Sequence, residues 1–196
     1  MQAIKATTAG YLITALVLLA GLLNPAVAAE TYKLDPAHTS VVFRVKHLGV
    51  AYVYGRFNGP SGSFVFDGAS PASSSIEIQV DALNVDTAVE KRDNHLRSPD
   101  FFNAAEYPVI RFKSTSVKKA GPDSYEISGD LTLLGKTRPI TVQARHTGEG
   151  KDPWGNYRRG FETSFSIKRS EFGMNFMMGG VSDDVLLTVS LEGIRQ

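Results

Sequence analysis

Residues 39–48 read TSVVFRVKHL, and the alternation in this run decides the fold. Val41, Phe43, Val45 and His47 share one face, while Val42, Arg44, Lys46 and Leu48 share the other. Successive side chains of a strand point to opposite sides, so a period of two with one apolar side and one charged side predicts a β-strand wetted on one face. The same pattern returns at Tyr52–Phe57, Ser63–Asp67, Ser75–Asp81, Val109–Val117, Tyr125–Leu134, Pro139–His146, Arg159–Lys168 and Val185–Gly193. The links between these runs are short and made of turn residues, as in Asn58-Gly59-Pro60, Gly121-Pro122-Asp123 and Leu134-Gly135-Lys136, which favours antiparallel neighbours. Eight or nine such strands most simply close into an up-and-down barrel, because closure leaves no unpaired edge. A flattened sandwich is the alternative.

A barrel of this size is either filled by side chains or holds one small ligand. Gly55 and Gly129 fall on the inner face and are expected to leave room there. One insert breaks the pattern, residues 81–108, DALNVDTAVEKRDNHLRSPDFFNAAEYP. Thr87-Ala88-Val89-Glu90 has capping-box spacing, which predicts a helix from about Ala88 to Arg97 with Asp93 and Arg97 paired one turn apart. Ser98-Pro99 reads as a second helix start. Two short helices tethered to neighbouring strands are expected to cover one barrel end.

Residues 1–29 differ from the rest: Lys5, an apolar stretch from Tyr11 to Leu23, then Asn24-Pro25 and small residues. That is the layout of a cleavable export signal, with cleavage after Ala28 or Ala29, and residues 30–196 then form one domain. The apolar run is short for a bilayer span. Lys5 is the only charge in the leader, so removing it from 21 basic residues leaves as many as the 20 acidic ones. No bulk field therefore draws the molecule to nucleic acid. The absence of cysteine excludes thiol catalysis, thiolate metal sites and disulfides.

The remaining motifs carry little chemistry. Gly135-Lys136-Thr137 echoes a phosphate loop, but Asp130 stands where the first glycine belongs and a strand pattern follows. His38, His47, His95 and His146 form no local ligand pair, so no metal is expected. His47 falls on the inner face by phase, where it would orient a polar ligand group or satisfy a backbone carbonyl. Arg92-Asp93-Asn94-His95 could supply an acid and a base, or only helix-rim pairs, since adjacent helical residues diverge. Arg92 and Arg97 are the cations best placed for an anionic headgroup. Phe172–Gly180 mixes methionines, aromatics and glycines, and suits an adaptable loop or plain gap-filling. Trp154, in a turn, is expected to plug the other end.

The runs YKLDPAHTSVVFRVKHLGV, KRDNHLRSPDFFNAAEYP, GDLTLLGKTRPITV, DPWGNYRRGFE and IKRSEFGMN, in this order, resemble the YceI family of bacterial exported proteins. The resemblance implies an all-β, antiparallel, lipocalin-like barrel, a periplasmic location, and an elongated apolar pocket for a polyisoprenoid or similar amphiphilic lipid. It implies no catalytic residues and no cofactor. The expected lining is Phe43, Val45, Ile76, Ile78, Phe112, Leu131, Phe165 and Val189, with His47 and Arg92 near the polar group and Phe101, Phe102 and Met174 at the entrance. Two rivals stay open, an enzyme using Asp93, His95 or His47 on a lipid-like substrate, and a filled barrel serving as a stress-response or interaction module. The oligomeric state, a homodimer included, is undetermined.

Overall fold

The described residues form strands β1 (Glu30–Leu34), β2 (Ser40–His47), β3 (Ala51–Phe57), β4 (Ser61–Phe66), β5 (Ser75–Asp81), β6 (Val85–Asp86), β7 (Val109–Lys119), β8 (Ser124–Leu133), β9 (Lys136–Lys151), β10 (Tyr157–Lys168) and β11 (Asp184–Arg195), with one α-helix among them, α1 (Glu90–Arg97), and three short 3-10 turns. This computed structural model describes residues 29–196, so the expected leader lies outside the described residues, apart from Ala29.

Three pairs of strands are really single staves broken in the middle. β1 and β2 lie end to end along one edge of β11, Leu34 facing Gly193 and Ser40 facing Ser190. β3 and β4 continue each other against β2 and β1, and β5 and β6 do so against β4 and β3. With each broken stave taken as one, every stave pairs with its sequence neighbours, and the first pairs with the last. The result is the closed, antiparallel, up-and-down barrel of eight staves. Strand β1 lies outside the alternating runs of the sequence because it is short and offers only Tyr32 and Leu34 to the inner face. It nevertheless completes the ring by bonding both β4 and β11.

One end, the capped end, carries the β2–β3 turn, the segment 87–108, the Leu134-Gly135 turn and the loop 169–183. The far end carries the loops 67–74, 120–123 and 152–156. Buried side chains gather at both. Tyr32, Leu34, Phe64, Phe66, Val117, Tyr125 and Leu191 pack toward the far end. Val41, Phe43, Phe57, Val80 and Val85 pack toward the capped end, beside Phe101, Leu131, Leu133, Phe172 and Met174. Gly55 and Gly129 do not open a cavity as expected. A Cβ at Gly55 would collide with the Phe43 ring, and one at Gly129 with the Phe112 ring, so each glycine's missing side chain is replaced by an aromatic from a neighbouring strand.

The cap departs from the expected capping box. The Thr87 hydroxyl and backbone amide both donate to Oδ1 of buried Asp93, the amide at 2.9 Å. Arg92 donates to the Thr87 hydroxyl and carbonyl, each at 2.7 Å. Ala88 takes a φ of 60°, so the helix starts only at Glu90, without a side-chain cap. Arg97 does not pair with Asp93. It donates to the carbonyls of Leu83 and Val85, at 2.8 and 2.9 Å, and so ties α1 to the broken stave below it. No second helix forms. The Ser98 hydroxyl donates to the His95 carbonyl at 2.7 Å instead of capping a new helix, and the chain returns through turns. Trp154 plugs nothing, being 78% exposed on the far end.

Ion pairs lock the far end. Arg158 donates to Asp35 and Asp152, both at 2.7 Å, and to Glu192 at 2.5 Å, joining the break after β1 to β10 and β11. Bonds from Arg158 and then His38 hold the Asp35 carboxyl down at about 2. Burial works the other way on Asp152, but bonds from Asn156, Arg158 and the amide of Trp154 still hold it at about 2. Free aspartates titrate near 3.9, so this stabilisation is fully present above about pH 4 and is lost as the pH falls toward 2. Thermal unfolding followed by circular dichroism should therefore give a flat Tm from neutral pH to about 5, with the fall concentrated below about 4. Arg158→Met should shrink that acid-dependent part. A wild-type Tm that stays constant down to about pH 2 would contradict the assignment.

Candidate functional site

Between the two sets of core residues the barrel is not filled. A partly open cavity of about 110 Å³ remains, lined by Ile76, Ile78, Phe112, Ile127, Ile140, Phe161, Phe165 and Val189 among others. At about 10–15 Å³ per water-sized sphere this is room for several such spheres. Polar side chains in the lining are few: Ser74, Ser75, Glu162, Thr163 and the Tyr125 hydroxyl. The inward-facing Ile76, Ile78, Phe112, Ile127, Ile140 and Phe165 are only half-buried, since each has empty space on one side. Side chains around an apolar void forgo dispersion contacts that a guest of matching chemistry restores. Water, with few polar partners there, does not restore them.

Two seams border the void. The β5–β7 ladder stops at Glu77↔Lys113, after which the Ile76 amide donates to the Ser114 hydroxyl at 2.9 Å. The β9–β10 ladder stops at Thr163↔Ala144, leaving Ile140 and Val142 on one strand and Phe165 on the other without backbone pairing across the gap. All of these except Ser114 line the cavity or end a ladder beside it. A chain threading either seam breaks no ladder bond.

Among the residues expected from sequence, Ile76, Ile78, Phe112, Phe165 and Val189 do line the cavity. Phe43 and Leu131 face inward but lie in the packed clusters of the capped half. Val45 is half-buried nearer the β2–β3 turn. Phe101 and Met174 are 7% and 6% exposed, and Phe102 meets Phe57 edge-on at 5.3 Å, so these three form a plug under the cap and not an entrance. His47 is exposed and not inward, because β2 leaves the barrel wall before its last residues. Arg92 is spent on Thr87, away from the cavity. The lining residues that sequence reasoning missed, Phe64, Phe66, Tyr125, Ile127, Ile140 and Phe161, all show the inward phase of their strands.

The acid–base candidates do not converge. Asp93 is buried within the cap, His95 bonds Asp100 at 2.8 Å on the outside, and His47 lies on the hairpin. None of the three lines the cavity. Asp35, His38 and Glu192 cluster closely enough to resemble a metal site, yet the Arg158 guanidinium sits between the two carboxylates and opposes a second cation there.

One buried cation shapes the capped end. Arg169, 2% exposed, donates to the carbonyls of Ser182 and Val181 at 3.0 Å, Met174 at 2.9 Å and Phe176 at 2.8 Å. The planar guanidinium has enough donors for all four carbonyls, which a lysine lacks. It thus pins the loop between β10 and β11 over the plug.

Comparison with known proteins gives a consistent picture. The YceI-like domain family matches residues 32–193. A UPF0312 protein of Pseudomonas paraeruginosa is 46% identical over 170 residues, covering 86% of this chain and 88% of its own. The crystal structure of BcnA from Burkholderia cenocepacia superposes with a TM-score of 0.75 at 26% identity, over 81% of this chain and 98% of its own. A polyisoprenoid-binding domain from Saccharophagus degradans shares the fold, with a TM-score of 0.65 at 18% identity over 84% of this chain and 98% of its own.

The Arg169 clamp is directly testable. Arg169→Met should leave buried carbonyls without donors and destabilise the protein by on the order of 3 kcal/mol, a Tm loss of roughly 6–12 °C. Limited proteolysis should then cut within the loop 173–182. A Tm within about 2 °C of wild type would show that the clamp contributes little.

Proposed function

The chain belongs to the YceI-like family, and we propose that it is a binding or carrier protein that holds the apolar chain of a polyisoprenoid or similar amphiphilic lipid inside its barrel. The observation that carries this reading is the cavity: an apolar void walled by half-buried aliphatic and aromatic side chains in a barrel whose two ends are packed. The polyisoprenoid-binding domain with the same fold supports the choice of ligand class. Each buried methylene contributes about 0.8 kcal/mol, so a five-carbon isoprene unit contributes on the order of 3–4 kcal/mol before ordering costs. A few units suffice for firm binding with no bond broken or made. A chain longer than the void leaves through the β9–β10 seam, where Ile140, Val142 and Phe165 offer apolar contact on the way out. The leader over residues 1–29 sends the protein to the periplasm, where such lipids need a shielded route through water.

Protein purified gently from its native host should carry an amphiphile detectable by native mass spectrometry and identifiable after solvent extraction. Ile127→Trp, which fills the void from β8, should weaken isoprenoid retention about tenfold or more while Tm holds or rises. An apo mass together with no uptake of added long-chain isoprenoids would refute the proposal.

A further inference from the structure

The balanced net charge of the molecule conceals a segregated surface. On the outer face of the β2–β3 hairpin Arg44 stands opposite Tyr54, Lys46 opposite Tyr52, and Arg56 opposite Val42. The Arg44 guanidinium lies 4.0 Å over the Tyr52 ring and the Lys46 ammonium 5.9 Å from it. Among the described residues none of these three cations forms a salt bridge, although Arg56 stands opposite Asp86 in the β3–β6 ladder, in contrast to Lys168, which pairs with Asp184, and Arg111, which pairs with Glu77. Arg44 also has a buried Nε without any hydrogen-bond partner.

Beyond the cations the hairpin ends in bare apolar residues. Leu48 is 59% exposed and Val50 83%. Leu48 and Gly49 both have positive φ, 50° and 69°, around a tight turn closed by the Val50 amide on the His47 carbonyl at 2.9 Å. Such turns favour Asn-Gly, and a branched leucine there is strained as well as exposed. Neither folding rule explains it. The Leu48 amide donates to the Gly180 carbonyl at 2.7 Å, and Val181 bridges to His47 and Met178, which sets exposed Met177 and Met178 beside the turn. The Arg169 clamp holds that loop in place.

Behind the aliphatic tip, the outer face therefore carries a band in which tyrosine rings and cations stand side by side, Lys46 with Tyr52 and Arg44 with Tyr54. An apolar tip backed by a band of tyrosine rings and cations matches a lipid surface, whose acyl boundary is followed by a headgroup level that takes both interfacial rings and phosphate-binding cations. We propose that the β2–β3 tip, with the Met177–Met178 loop, docks the molecule on an anionic phospholipid bilayer. Leu48, Val50, Met177 and Met178 enter the acyl boundary, while Arg44, Lys46 and Arg56 meet phosphates. The docking does not depend on what the cavity holds, so the two proposals stand or fall separately.

Vesicle co-sedimentation tests it, using phosphatidylcholine vesicles with and without phosphatidylglycerol at low and high salt. The protein should bind the phosphatidylglycerol vesicles preferentially, and salt should release it. Each cation removed should lower partitioning about fivefold, so Lys46→Gln with Arg56→Gln should lower it about twenty-five-fold. Val50→Asp should reduce binding as well, with melting curves and extracted lipid unchanged in all variants. Val50→Trp in a Trp154→Phe background should shift its emission to the blue on the anionic vesicles, whereas wild-type Trp154, at the far end, should not shift. Equal binding to both vesicle types, no binding at low salt, or variants that bind like wild type would overturn the proposal. So would a Val50→Asp protein that turns a dimer into a monomer when wild type ignores vesicles, since the face would then be a self-interface.

Discussion

Closure of the barrel through β1 is the constraint on which the rest depends. Five residues bond β4 on one side and β11 on the other; β2 joins β11 to β3 beyond the break, but without β1 the far half of the ring gapes, leaving β4 and the end of β11 as bare edges. Short strands do not hold such a position by pairing alone. The Arg158 network fastens the residues just after β1, while Arg159 and Arg195 both reach Glu30 at its start. The aromatic stack of Tyr32 on Phe64, with centroids 4.7 Å apart, fixes the same strand from inside. Charge outside and rings inside thus act on one seam.

Once the ring is closed, its diameter sets the packing problem. Eight staves enclose more space than inward side chains of ordinary size fill, and the ends are filled by drawing rings across the barrel. Phe43 lies over Gly55, Phe112 over Gly129, and Phe64 over Gly193. At the capped end Phe101, Phe102 and Phe172 add a plug delivered by the two long loops. Phe64 and Phe112 also border the middle, where the rings leave a cavity unfilled. Binding capacity here follows from incomplete filling of a closed form, and no side chain needs special chemistry to produce it.

The fold was largely legible in the sequence because period-two alternation reports directly which face a residue occupies. It found Ile78, Phe112, Phe165 and Val189 on the inner wall. What it does not report is height along the barrel axis, which is why Phe43 and Leu131 carry the same inward phase yet belong to the packed half. Glycine was misleading for the same reason, since the ring that fills its space comes from a different strand. The cap was legible only as a helix-forming insert. Thr87, Asp93 and Arg97 have the spacing of a helix start and an intrahelical pair, but Thr87 and Asp93 bond each other across the positive-φ Ala88, and Arg97 bonds the carbonyls of Leu83 and Val85 in the preceding stave. Arg169 gave no local signal at all, because its four acceptors exist only after the β10–β11 loop has folded back over it.

The central claim is that the void between the packed ends is where the ligand's chain resides. Isoleucine and valine methyl groups report on this directly by nuclear magnetic resonance, because the void is walled by Ile76, Ile78, Ile127, Ile140, Val142 and Val189. With a protonated isoprenoid and an otherwise deuterated protein, intermolecular NOEs should reach these methyls. NOEs confined to the outer hairpin, at Leu48 and Val50, with the inner methyls unchanged, would contradict it.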